Sequence, residues 1–290
     1  MEIGMTLPTM VSGLRREDLL AWMRATDAGP FSSLAGGERI TYPNQELLMT
    51  MAAAASVTER IRLALTVVVL PMHSTGLIAK QLATLDVLSG GRLSVGVGVG
   101  GREEDYKAVG ASFGRRLARM EEQVALLRRS WAGEPIEGNA APIGPRPVQE
   151  GGPEILAGSL MPKSIRRAAR WADGLCGFSF GPAQDEIASA FEVARSAWRE
   201  EGRTKPPRLV TSCWYSLGPN ARGQMDDYVG RYLGFLGKEV ASAIAPTCRA
   251  TSAFALREIF GQVKDAGADE LILVPTSATL DQLERVAEIV

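Results

Sequence analysis

The 290-residue chain carries a single histidine, His73, and three cysteines, Cys176, Cys213 and Cys248, with no Cys-x-x-Cys spacing. Such scarcity argues against a His/Cys metal cluster and against a disulfide framework, so no metal site is expected and the thiols are read as reduced and partly buried. Lysine is also rare, with 6 against 26 arginines, yet the net charge is only −1. That balance gives no reason to expect nucleic acid or an acidic membrane as partner. No window approaches about 18 uninterrupted apolar residues, the length that would cross a bilayer. The opening MEIGMTLPT lacks the basic head and apolar run of a signal peptide, and a cytoplasmic protein is expected.

What the chain does have is alternation. Hydrophobic residues make up 46% and charged residues 22%, enough to build a large buried core. Short apolar runs trade places with amphipathic segments throughout. Strands are expected at Glu2 to Leu7, Phe31 to Ala35, Ile61 to Leu70, Leu93 to Val97, Glu154 to Ala157, Gly174 to Phe178, Leu209 to Leu217 and Glu270 to Val274. The third, dense in Val and Leu without alternation, suits a parallel strand buried on both faces. Helices are expected at Arg15 to Asp27, Asn44 to Val57, Thr75 to Leu88, and in segments up to Trp131. Further helices follow at Met161 to Trp171, Gln184 to Glu201, near Arg222 to Leu236, Ser252 to Ala266 and Leu280 to Ile289. Eight strands in strict order with helices demand right-handed parallel crossovers, and eight such units close into an α/β (β/α)₈ TIM barrel. The Pro/Gly-rich stretch Gly133 to Pro153 is read as a surface loop rather than a boundary, because four units alone would leave an open half-sheet. Residues 1–290 are therefore expected to form one domain with loop insertions.

Several local patterns carry possible chemistry. Gly96-x-Gly98-x-x-Gly101 follows a strand and leads toward a helix, as a dinucleotide fingerprint would. The acid that should meet a ribose falls at Glu121 and Glu122, inside a helix of alternating charge, which disfavours that reading. The alternatives are a tight turn, or a strand mouth that Gly98, Gly100 and Gly101 keep flat for a planar ring. The run Gly158, Ser159, Leu160, Met161, Pro162, Lys163, Ser164 joins a strand to a helix start. Free amides, two hydroxyls and one ammonium there would receive a phosphate; a Ser-capped helix is the plainer alternative. His73 follows the third strand at the face where barrel chemistry occurs, either as a proton shuttle or as an idle loop residue. Glu38 and Arg39 end the second strand at that face, as site residues or as a surface ion pair. Arg102-Glu103-Glu104-Asp105 reads as an acidic helix start whose carboxylates favour the dipole, or else as a segment that touches ligand, and Trp22, Trp131, Trp171 and Trp198 read as packing.

These residues also resemble a family. The run Ser56 to Leu63 (SVTERIRL), Leu70-Pro71, Ala79 to Asp86 (AKQLATLD), and Leu88 to Leu93 (LSGGRL) with Gly96-Val97-Gly98 is similar to the luciferase-like monooxygenase superfamily. The segments Leu156 to Gly174 and Asp269 to Pro275 extend the likeness over nearly the whole chain. The resemblance implies a (β/α)₈ barrel that holds reduced FMN or coenzyme F420, a deazaflavin, with the ring inward and the phosphate toward Gly158 to Ser164. It implies a non-prolyl cis peptide against the ring, by position Thr66-Val67. It departs from the family in two places. His73 is followed by Ser74 instead of proline, and Glu38-Arg39 stands where many relatives carry a His pair or Asp-His. Glu38, Arg39 or His73 would then have to move the proton, or water would. Bacterial luciferase has an arginine for the phosphate at the place of Val99 here, and its loss leans toward the phosphodiester of F420.

The resemblance thus implies an oxidoreductase, by hydride transfer or monooxygenation, acting on a small organic substrate. Relatives commonly form homodimers. A non-catalytic flavin-binding barrel and an NAD-dependent Rossmann dehydrogenase are the rival readings. Substrate contacts are expected from the loops at 38–46, 102–114 and 218–250.

Overall fold

Every strand of this chain finds two parallel neighbours. The computed structural model describes residues 1–136 and 141–290; four residues of the expected loop Gly133 to Pro153, at 137–140, lie outside the described residues. The strands are β1 (Glu2–Thr6), β2 (Ser33–Gly36), β3 (Arg62–Val69), β4 (Leu93–Gly98), β5 (Glu154–Ala157), β6 (Gly174–Cys176), β7 (Arg208–Tyr215) and β8 (Glu270–Pro275). They pair in sequence order, and β8 closes onto β1 with Glu2 opposite Glu270 and Met5 opposite Leu273. Around them run α1 (Arg16–Ala28), α2 (Leu47–Val57), α3 (Thr75–Leu88), α4 (Glu103–Ala108), α5 (Arg116–Trp131) and α6 (Pro162–Ala168). The second half adds α7 (Gln184–Glu200), α8 (Ala221–Tyr232), α9 (Lys238–Ile244), α10 (Ala253–Asp265) and α11 (Asp281–Ala287). This is the (β/α)₈ barrel the alternation predicts. The open-sheet Rossmann reading is overturned: Gly96 and Gly98 lie inside a barrel strand, with β4 paired to β3 and β5.

Strand periodicity divides the barrel interior into layers. At the amino-terminal end the inward residues are polar. Glu270, 1% exposed, accepts from Ser32 and Ser33 hydroxyls at 2.6 Å each and pairs with Arg208 at 2.7 Å. Arg208 also bonds Glu154, which takes the Ser94 hydroxyl at 2.7 Å. Above this plug lies a small apolar layer of Ala35, Ala64, Leu156, Cys176, Val210 and Ile272. The carboxyl-terminal layer is left open as a cavity. The larger core sits outside the strands, between sheet and helices, and includes Trp22, Trp131 and Trp198, as expected of packing residues.

Local departures have physical causes. The helix expected to run to Trp171 ends at Ala168, because Trp171 bonds back to Ala168 in a tighter three-residue turn at 3.0 Å. The helix expected through Leu236 stops at Tyr232, and Gly237 at φ +98 starts α9, which the composition did not announce. β3 shifts register against β4 between Leu65 and Val68. Among the described residues, no helix is long and apolar enough to cross a membrane.

The polar plug generates a test. Removing one partner of a buried ionic network leaves the other charge uncompensated, at a cost of about 3 kcal/mol or more. Glu270→Ala is expected to lower the unfolding free energy by about that amount in a urea titration. An unchanged midpoint would show that the plug contributes nothing to closure.

Candidate active site

The eight carboxyl-terminal strand ends enclose a cavity of about 310 Å³. Its floor is Thr66 and Val67 of β3, with Gly158 after β5 and Cys176 ending β6. The Thr66–Val67 peptide bond is cis, at the position the family resemblance implies. Val67 is seated by glycines. A Cβ at Gly98 would fall 2.8 Å from Val67 Cγ2, and one at Gly158 would fall 2.8 Å from Val67 Cγ1. Both lie below the distance real Cβ atoms tolerate, so only bare backbone lets the β3 bulge settle between β4 and β5.

An aromatic wall faces that floor. Phe178 and Phe180 follow β6, and Ser212 and Trp214 lie on β7, each pair at the two-residue spacing that puts both side chains on one face. The ring of Trp214 lies 4.8 Å from that of Phe178 and 5.5 Å from that of Tyr232, edge-on in both cases. Tyr228 and Tyr232 of α8 stack at 5.9 Å and complete the wall. Thr6, Leu7, Met10, Val274 and Pro275 come from the ends of β1 and β8. The Thr6 hydroxyl is buried with no hydrogen-bond partner among the described residues.

The residues singled out from sequence separate into two groups. Thr66, Val67, Gly158 and Leu160 line the cavity. Gly98 supports the floor, Gly100 at φ +60 makes the same room for Val69, and Val99 packs toward the core while its carbonyl accepts the Tyr106 hydroxyl at 2.6 Å. Ser159, Met161, Lys163 and Ser164 do not line it. Met161 is exposed, the Ser159 amide bonds Ala157 at 2.9 Å, and the Ser164 hydroxyl donates to Met161 at 2.8 Å. Lys163 faces a separate surface groove with Arg166, Arg167 and Arg170.

Glu38, Arg39 and His73 are likewise absent from the lining. Glu38 is buried, and its two oxygens accept from His73 Nε2 at 2.8 Å and from the Val69 amide at 2.7 Å. A carboxylate only accepts, so His73 Nε2 is the donor in this bond. Arg39 pairs with Asp105 at 3.1 Å, both side chains under 10% exposed. Neither Glu38 nor Arg39 forms the surface ion pair considered from sequence, and they do not pair with each other. Asp105 lies in the first turn of α4, as the acidic helix start implies, and is buried. Burial pushes its carboxyl upward, but the bonds from Thr41 and then Arg39 outweigh burial and hold it below its ordinary value.

Among the described residues that line the cavity there is no carboxylate and no histidine. The ionisable groups there are Arg102, Cys176 and two tyrosines. Burial pushes the Cys176 thiol up to about 12 and Tyr228 well above the ordinary phenol value, so both stay protonated near neutrality. Sequence reasoning missed Trp214, the two phenylalanines and Ser212. The available signal was positional: each lies at a carboxyl-terminal strand end, which in a barrel is the rim.

Comparison with known proteins bears on this geometry. A family model described as luciferase-like monooxygenase matches residues 1–271. An uncharacterized protein of Mycobacterium tuberculosis is 34% identical over 170 residues, covering 56% of this chain and 59% of that protein. The match thus spans less than two thirds of that relative's length. An F420-dependent secondary alcohol dehydrogenase, solved with an F420–acetone adduct, superposes with TM-score 0.80 at 18% identity, covering 100% of this chain and 98% of that one. The oxygenating constituent of 3,6-diketocamphane monooxygenase from Pseudomonas putida, solved with FMN, gives TM-score 0.74 at 16% identity, covering 99% and 95%. At such identities the two structures speak for the fold.

Asp105 gives a pH test with a definite sign. A carboxyl whose folded pKa is depressed adds stability above its unfolded value near 3.9, and that stability is lost as pH falls through the folded value. Asp105→Asn is expected to cost about 3 kcal/mol near pH 7. In urea titrations the gap from wild type should close below about pH 4. A gap independent of pH would show that Asp105 does not act through its charge.

Proposed function

The chain belongs to the luciferase-like monooxygenase family, and from that premise we propose that its barrel binds FMN or coenzyme F420 and oxidises or reduces a small, largely apolar organic substrate. The supporting observation is the cavity itself, with the bare-backbone floor around Thr66, Val67 and Gly158 opposite the wall around Trp214. Such a slot, apolar with a few polar groups, is the usual form of a cofactor site. Its fit to a flat ring rests on Gly158, where a side chain would press on Val67 at the floor. The Gly158 to Ser164 loop is open to solvent at Gly158, Leu160, Met161 and Lys163, leaving room for an anionic tail beside its amides.

Bound there, a flavin supplies oxygen activation and a deazaflavin supplies a hydride. The residues of this chain would do the positioning. Thr66, Val67 and Gly158 would hold the ring, while Phe178, Phe180 and Trp214 would press the substrate against it. Hydroxyls of Thr6, Thr66 and Ser212 would orient polar atoms. Glu38 and His73, hydrogen-bonded to each other outside the lining, would support β3 from behind through the Val69 amide rather than reach the reacting atoms. Hydride transfer suits such a site well, because it asks for alignment more than for a protein acid or base.

The test is fluorescence titration of the purified protein with FMN and with F420. One of them is expected to bind, and Gly158→Val should weaken it by about tenfold or more through overpacking of the floor. A folded protein with affinity for neither cofactor would refute the proposal. Binding without any turnover of a panel of alcohols, ketones and alkenes would favour a carrier.

A further inference from the structure

Two guanidinium groups lie near the ring of Tyr232, a lining residue, and they differ in how they are matched. Arg39 has Asp105. Asp105 accepts from Arg39 on one oxygen and from the amide and hydroxyl of Thr41 on the other, three of about four accepting positions, and Arg102 is not among its donors. Arg102 lines the cavity and makes no ion pair among the described residues. Its one hydrogen bond is a long one, to the Tyr232 carbonyl at 3.4 Å. Its Nε is shut away from solvent with no acceptor. The guanidinium carbon instead lies 3.9 Å from the Phe235 ring centroid and 4.9 Å from that of Tyr232.

That arrangement is held ready without being satisfied. A guanidinium offers five N–H donors in a rigid fork; the two rings lie against it, and Tyr232 supplies the acceptor it has, leaving most of the fork unfilled. A partly buried cation with unfilled donors is costly until an anion arrives, and a carboxylate fits the fork with two parallel bonds. Burial lowers the pKa of Arg102, with Arg39 adding to that push, yet a guanidinium stays charged at neutral pH.

We propose that Arg102 selects the substrate by charge: the cavity takes a small organic acid whose carboxylate sits on Arg102 and whose apolar body lies against Trp214 and the two phenylalanines. This deepens the proposed function and rests on it for the chemistry that follows binding. The carboxylate is assigned to substrate because Arg102 is clamped by Tyr232 and Phe235, from α8 and the turn after it. The cofactor tail is assigned to the Gly158 to Ser164 loop.

Isothermal titration of phenylacetate against its neutral counterpart phenylacetamide reads the proposal directly. Wild type is expected to favour the acid by about tenfold or more. R102Q should bring the two affinities together while leaving the amide unchanged, and R102K should keep the charge but lose much of the preference. FMN and F420 titrations of the same variants are expected to match wild type. No preference in wild type, or a preference that survives in R102Q, overturns the assignment. Should R102Q fail to fold, R102M takes its place, and an acid preference that survives there overturns the assignment equally. Loss of cofactor affinity in R102Q with the acid preference intact would place Arg102 on the cofactor's anion and also overturn it. A wild type that discriminates the acid yet binds neither cofactor would refute the proposed function while leaving the acid site standing.

Discussion

Pairing of β8 with β1 is the contact on which the rest of the molecule depends. It removes both sheet edges and points all eight carboxyl-terminal ends the same way. One end of the cylinder must then be sealed and the other left usable. The seal is ionic: Glu270, Arg208 and Glu154 fill the amino-terminal layer, with serine hydroxyls occupying carboxylate oxygens that would otherwise be unsatisfied. Small residues above them, Ala35, Ala64 and Cys176, leave the upper layer hollow. A cavity at the rim is thus a consequence of side-chain size along strands whose path closure has already set.

Much of the family likeness turns out to lie in pins rather than in chemistry. Arg92 of the LSGGRL run donates to the carbonyls of Ser89, Thr58 and Ile61, tying the start of β4 to the end of α2 and the entry to β3. Asp27 accepts from three successive amides, those of Glu59, Arg60 and Ile61, which holds the SVTERIRL turn onto α1. Asp86, fully buried, takes the Val148 and Gln149 amides and so anchors the loop before β5. Each of these side chains answers backbone groups at the junctions between helix and strand, Ile61 among them buried. Such positions hold the barrel together, and they say little about substrate.

That explains what could be read in advance and what could not. The order of strands and helices was legible because a parallel barrel writes apolar runs and amphipathic segments in strict rotation. Part of the cavity floor was legible: the resemblance places Thr66-Val67 and the glycine pattern marks Gly98 as bare backbone, whereas the pattern around Gly158 points to a phosphate loop and not to the floor. The aromatic wall was not, since Phe178, Trp214 and Tyr232 come from separate units and meet only after closure. The same limit applied to Glu38, Arg39 and His73. They stand at the correct rim, but their orientation depends on partners 35 to 66 positions away, and those partners draw the side chains out of the cavity.

The lining that results has an unusual proton inventory. Cys176 and Tyr228 are held protonated by burial, Arg102 keeps its charge, and carboxylates and imidazole are absent from the walls. Neither Cys176 nor Tyr228 therefore changes charge between about pH 5 and pH 8. Charge within the cavity is fixed by one unmatched guanidinium, whereas the matched pair beside it cancels locally. Proton movement during turnover would have to pass through hydroxyls, water or the bound molecules themselves. Selectivity in such a site comes from shape and from a constant positive charge, and both are set when the barrel closes rather than when the solution is acidified.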